Sequence, residues 1–141
     1  MQYTELMITY KIKPDLSDLE IKPLFKAAWP DEDETSYEGV LRRSLSYVCA
    51  YDPDRAEGHL IGFVNVAWDG GVHAFLLDTT VHPDYRRRGI ATELVRRATR
   101  EAKGAGCDWL HVDYDAHLQG FYEGCGFRPS LAGLIHLREA R

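Results

Sequence analysis

The chain predicts a mixed α/β domain: one central, mostly antiparallel sheet of six to seven strands with about four helices. Three observations carry that prediction. Between Ser46 and Val81, three β-rich apolar runs follow one another, divided by the turn-forming stretches PDRAEG and DGG, which is the pattern of successive antiparallel strands. After Val81 the apolar period lengthens to that of a helix, with Ile90, Leu94, Val95 and Ala98 on one stripe. A further strand follows that helix, so His73 to Tyr114 forms a strand-helix-strand unit whose two strands should be parallel and joined by a right-handed crossover.

The elements follow in order. LMITYKI (Leu6 to Ile12) alternates as a first strand, and DLSDLEIKPLFKAAW places Leu16, Leu19, Leu24, Phe25 and Ala28 at near-helical spacing, with Ser17 as N-cap. An acidic loop, Asp31 to Glu34, leads into a short helix for which Thr35 and Glu38 have capping-box spacing. SYVCAYD, HLIGFVNVAW and HAFLLDTTV are the three central strands. The long helix ends at Gly104 to Gly106. DWLHVDY is the next strand, HLQGFYEGC a short helix, and GLIHLRE a last strand.

Composition narrows the function. With 141 residues, no linker and no internal repeat, residues 1–141 form a single domain. No run approaches the roughly 18 apolar residues of a membrane span, and Met1 to Tyr10 carries no secretory pattern. A cytoplasmic protein without membrane contact is therefore expected. A net charge of −5 argues against coating a polyanion, so no nucleic-acid partner is expected. Cys49, Cys107 and Cys125 are too widely spaced for a metal site, and no metal is expected.

The arginines of VHPDYRRRGIA need a local explanation. Positive charge is unfavourable at a helix N-terminus, yet Arg86, Arg87 and Arg88 stand at one. The first turn of a helix presents unpaired amides, Gly89 admits close backbone approach, and Ala91 is small. An anionic ligand, a pyrophosphate above all, resolves the conflict.

This stretch resembles the acyl-CoA signature of the GNAT superfamily of N-acetyltransferases, Gln/Arg-x-x-Gly-x-Gly/Ala after a strand ending in Val-x-Pro; Arg86, Gly89 and Ala91 occupy its defined positions. A second segment, DAHLQGFYEGCGF, is similar to the superfamily's Asn-x7-Tyr-x3-Gly-Phe: Tyr122, Gly126 and Phe127 match, while Asp115 replaces Asn. The resemblance extends over nearly the whole chain, since the element order is also the superfamily's.

The resemblance implies a sheet splayed between its fourth and fifth strands and acetyl-CoA as co-substrate. Arg86, Arg87, Arg88, Gly89, Ile90, Ala91 and Thr92 would cradle the pyrophosphate, mainly through main chain. Thr79 and Val81 would pair with the pantetheine arm, and Asp115, Phe121 and Tyr122 would complete the cofactor wall. Tyr122 would be the general acid in direct acetyl transfer to a primary amine of a small molecule or peptide. A carboxylate or His that relatives carry upstream on the fourth strand is replaced here by Phe75, Leu76 and Leu77. The base is thus open among Asp78, which a β-bulge could turn toward substrate, His111, Asp113 and a chain of waters. Trp29, Asp31, Glu32, Asp33, Glu34 and Tyr37 lie where the acceptor pocket is expected and favour a cationic amine; the competing reading is a solvated loop serving the next helix. Two further points stay open: a non-catalytic acyl-CoA sensor on the same fold, and monomer against homodimer.

Overall fold

The computed structural model describes residues 7–56 and 58–139. Strands that are apolar on both faces must be covered on both faces, and the central strands are. In β2 (Ser46–Tyr51), Val48 and Ala50 pack in the layer of the long helix α3 (Ile90–Gly104), while Tyr47 and Cys49 belong to the opposite layer with α1 (Asp18–Ala28) and α2 (Glu38–Arg43). In α3 the predicted stripe is the buried one: Leu94, Val95 and Ala98 are fully enclosed, and each large side chain so buried contributes about 1.5–3 kcal/mol. Helix and sheet meet closely at Gly62, where a Cβ would stand 3.1 Å from both Leu94 Cδ1 and Ala50 Cβ.

The sheet has five strands in sequence order: β1 (Thr9–Ile12), β2, β3 (Leu60–Trp68), β4 (His73–Val81) and β5 (Trp109–Val112). All pairs are antiparallel except β4 with β5, which the α3 crossover makes parallel. A single helical turn, Ala116–Leu118, then leads into α4 (Gln119–Gly124). Among the described residues no helix is long and apolar enough to cross a membrane.

Several expectations are corrected. Five strands stand in place of six or seven among the described residues, because GLIHLRE forms none. Its apolar residues Leu134 and Ile135 are adjacent rather than alternating, so a strand there needs cover on both faces, and no helical layer reaches it; Leu131, Leu134, Ile135 and Leu137 are at least 75% exposed. The first strand begins at Thr9, with Leu6 outside the described residues. Leu19 points to solvent and Ile21 takes its place in the core. Ser17 occupies the N-cap position of α1 without a side-chain capping bond. Thr35 does not cap α2: its amide is bonded to Asp33 Oδ1 at 2.9 Å, and Tyr37 holds the cap position.

Candidate active site

The functional geometry starts from two irregularities in β4. Its parallel ladder with β5 runs from His73 and Trp109 only as far as Leu76 and Val112, although β4 continues to Val81. Beyond that point the strands part. On the other side, Thr80 pairs with Phe63 and Leu77 with Asn65, so Asp78 and Thr79 together stand opposite Val64, and Asp78 adopts φ 57°. This is a β-bulge, at the position the sequence allowed for one.

The parted strands leave a cleft of about 440 Å³ whose lining includes Asp78 and Thr79 of β4, Asp113, Tyr114 and Asp115 after β5, and Tyr122 of α4. Trp29, Leu118 and Leu134 close its mouth. Tyr122 is buried, stacked on Tyr114 at 5.1 Å and crossed by Phe121 and Phe127 at 4.9 and 5.7 Å. Burial pushes its phenol above the ordinary tyrosine value, opposed by a hydrogen bond with the Thr79 side chain. The hydroxyl therefore keeps its proton at neutral pH, as a general acid must.

β4 leads into the arginine-glycine turn. Tyr85, buried, is anchored by its hydroxyl donating to Asp52 Oδ2, and the guanidinium of Arg88 lies 5.2 Å from its ring centre. Arg87 and Gly89 both take left-handed conformations, φ 64° and 77°, which reverse the chain immediately before α3. The first intrahelical bond is Glu93 N–H to the Gly89 carbonyl at 3.1 Å, so the amides of Ile90, Ala91 and Thr92 precede the ladder and have no helical partner. A Cβ on Gly89 would meet nothing within 4 Å: the space before the turn is open. Arg86, Arg87 and Arg88 are exposed, and none makes an ion pair with the described residues. Glu93 is instead held by Arg96 and Arg97, each at 2.8 Å. Open amides, open space and unanswered cations at one helix start are the features a pyrophosphate requires.

The remaining sequence candidates fall in different places. Ile90 is buried in the core and offers only its backbone. Val81 pairs with Gly62, and Phe121 packs behind Tyr122 rather than lining the cleft. Asp113 lines the cleft, whereas His111 does not: it is stacked on Phe75 at 4.8 Å and bonded to His73 at 2.9 Å. Trp29 lines the cleft, but Asp31, Glu32, Asp33 and Glu34 stand away from its lining. Glu32 and Glu34 are paired with Lys22 and Lys26 of α1 at 2.6 and 3.1 Å, and Asp33 serves the Thr35 amide. Tyr37 reaches Asp78, donating to its Oδ2 at 2.5 Å. Sequence reasoning did not single out Asn65, Tyr114, Leu118 or Leu134; the one available signal was Asn65, a lone amide inside an otherwise apolar strand. Cys49, Cys107 and Cys125 are free thiols, and burial pushes that of Cys49 up to about 12.

Known proteins share this arrangement. A sequence model described as the Acetyltransferase (GNAT) family matches residues 14–127. An aminoglycoside N(6')-acetyltransferase type 1 of Acinetobacter genomosp. 13 is 36% identical over 93 residues, 60% of this chain and 64% of that protein. The chain thus spans less than two thirds of that relative's length. A GNAT family acetyltransferase from Streptococcus pneumoniae superposes with a TM-score of 0.77 at 26% identity, covering 92% of this chain and 96% of that one. The aminoglycoside N-acetyltransferase AAC(6')-Iy in complex with CoA has the same fold, with a TM-score of 0.69 at 18% identity over 96% and 97% of the two chains. With the match running from ahead of α1 through the cleft-lining Tyr122 to Phe127, the chain belongs to the GNAT family of acetyltransferases.

Proposed function

We propose that the protein transfers the acetyl group of acetyl-CoA directly to a primary amine, and that the preferred acceptor is cationic. One observation carries the reading: the end of the β4–β5 ladder gathers Asp78, Thr79 and Tyr122 into a single cleft beside the arginine-glycine turn. The turn suits the coenzyme's pyrophosphate on the grounds of its unpaired amides, its open face at Gly89 and its unanswered arginines. Acetyl-CoA, when bound, supplies an activated thioester and a thiol leaving group. Backbone groups of Thr79 and Val81, where β4 has no partner on the β5 side, are available to hold an extended arm as an added strand would be held. Asp78 accepts a proton from the acceptor's ammonium, leaving the amine neutral for attack. Tyr122 gives its hydroxyl proton to the departing sulfur.

The preference for a cation rests on the cleft rather than on the acidic loop. Asp78, Asp113 and Asp115 line it together with aromatic Trp29, Tyr114 and Tyr122, and no lysine or arginine does. Three carboxylates on one small cavity raise the local concentration of cations, and the ring faces add to that attraction. The matched aminoglycoside N(6')-acetyltransferase, whose named substrate class is polycationic, agrees with this choice.

A thiol-release assay with acetyl-CoA and amines of differing charge and size tests the reading. Turnover should be highest with di- and polyamines. Activity confined to neutral or anionic acceptors would reverse the charge preference, and acetyl-CoA binding without thiol release on any amine would make the chain a sensor.

A further inference from the structure

A carboxylate that receives a proton from a bound amine must present one oxygen in a fixed direction. Asp78 stands on an exposed bulge with nothing on its own strand to fix its side chain; within β4 its carbonyl, not its carboxylate, accepts the Thr80 hydroxyl, at 2.8 Å. What holds the carboxylate comes from elsewhere. Tyr37, in the connection between α1 and α2, donates its hydroxyl to Asp78 Oδ2 at 2.5 Å across 41 positions of sequence. The Tyr37 ring cannot swing away easily: it stands edge-on to Phe25 at 5.0 Å and to Phe63 at 5.7 Å, both fully enclosed core residues. Behind it, the Asn65 side chain is also hydrogen-bonded to the Tyr37 hydroxyl. Asn65 is 1% exposed, and its Oδ1 is buried without a partner among the described residues.

We infer that Tyr37 and Asn65 are positioning residues for Asp78: the Asn65 amide donates to the Tyr37 oxygen, which commits the phenolic proton to Asp78 Oδ2 and leaves Oδ1 as the oxygen that meets the acceptor amine. The direction of the chain follows from donor and acceptor capacity. An Asn with its Oδ1 unpartnered engages through its NH₂, a donor, and a phenol that accepts from one side has its one proton to give on the other. The cost of a buried, unsatisfied Oδ1 is retained in the fold, which is the pattern of a polar group kept for a task other than stability. Asp113 and Asp115, after β5, line the same cleft but have no comparable anchor to the α1–α2 connection, so they add charge to the pocket without a defined direction. The arrangement also gives Tyr37 a role distinct from the direct acceptor contact expected from its sequence position.

For what Asp78 does, this inference rests on the acetyl-transfer reading; for what holds Asp78, it rests on geometry alone, and the test separates the two. With tyrosine labelled at ¹³Cζ, the Tyr37 resonance is assigned by its loss in Tyr37→Phe. It should move in Asp78→Asn and in Asn65→Leu and stay in place in Asp113→Asn; a Tyr37 resonance indifferent to Asp78 overturns the inference whether or not the protein acetylates anything. In kinetics, Tyr37→Phe keeps the packed ring and should lower kcat by about 10- to 100-fold, with the KM for acetyl-CoA within about twofold of the parent. Asn65→Leu, which removes the unpartnered oxygen, should lower kcat by a few-fold at unchanged or higher Tm. Unchanged kcat in both variants overturns the positioning role while acetyl transfer stands. Thiol release absent from the parent protein defeats the acetyl-transfer reading, and the resonance data then decide the pairing.

Discussion

The arginine-glycine turn and the acceptor cleft lie at the same end of β4, yet they recognise their ligands with different materials. The turn works through backbone: two left-handed residues and the unladdered amides of a helix start, all within Arg87 to Thr92. The cleft works through side chains brought from α1, the α1–α2 connection, β3, β4, the segment after β5 and α4. A backbone site binds a group that is the same in every reaction of its class. A side-chain site can be changed one residue at a time without disturbing the fold that carries it.

That contrast can be broken by mutation, and the largest effect should come from the cleft. Asp78→Asn should lower kcat by about 10²- to 10⁴-fold, the range for losing a general base, with the Kd for acetyl-CoA unchanged by calorimetry. A parallel loss of acetyl-CoA affinity would mean that cleft and turn are one site. Tyr122→Phe should cost about 10²-fold in kcat and also alter the pH profile. Because burial raises the phenol's pKa, the proton is fully present at neutral pH and is lost only as pH rises through a value above the ordinary tyrosine range. The parent should therefore decline only at strongly alkaline pH, and that decline should vanish in the variant.

The turn should give smaller effects, in affinity rather than rate. Gly89→Val forces a β-branched residue into φ 77° and puts its side chain into the open ligand space, so acetyl-CoA should bind about tenfold more weakly, as a cost of 1–2 kcal/mol implies. Arg87→Ala removes an exposed charge and should weaken binding about threefold or less, an effect that salt diminishes. The reverse ranking in equilibrium binding would show that guanidinium charge, not the backbone cradle, holds the anion.

The same contrast explains what the sequence disclosed. The turn was legible because its requirements are local: a strand, two or three defined residues and a helix, read within a dozen positions. The α3 stripe was legible for the same reason, since one period governs it. The cleft was legible only in part. Asp78 and Tyr122 could be named from their distance to the turn, but Asn65 reads as a polar interruption of a strand until β3 and the α1–α2 connection are seen side by side. The acidic run from Asp31 to Glu34 misdirected the reading, because Lys22 and Lys26 lie one and two helical turns back along α1 and absorb part of its charge. The last strand was overcalled for a related reason: apolar composition marks a segment that could be covered, and only tertiary structure says whether anything covers it.

The bulge at Asp78 has a consequence for how β4 tolerates change. Before it, Ala74 and Leu76 face the α3 layer; after it, Val81 does, so odd positions have taken over from even ones. The extra residue acts as a frameshift in the strand's two-sided code. Substitutions on either side of it can be exchanged one for one, but a single-residue deletion at Asp78 or Thr79 would reassign every later residue of the strand to the wrong face, and with it the direction in which β4 delivers the chain to Arg86. Families of variants built on this scaffold should therefore diversify the cleft freely in residue type and hardly at all in length.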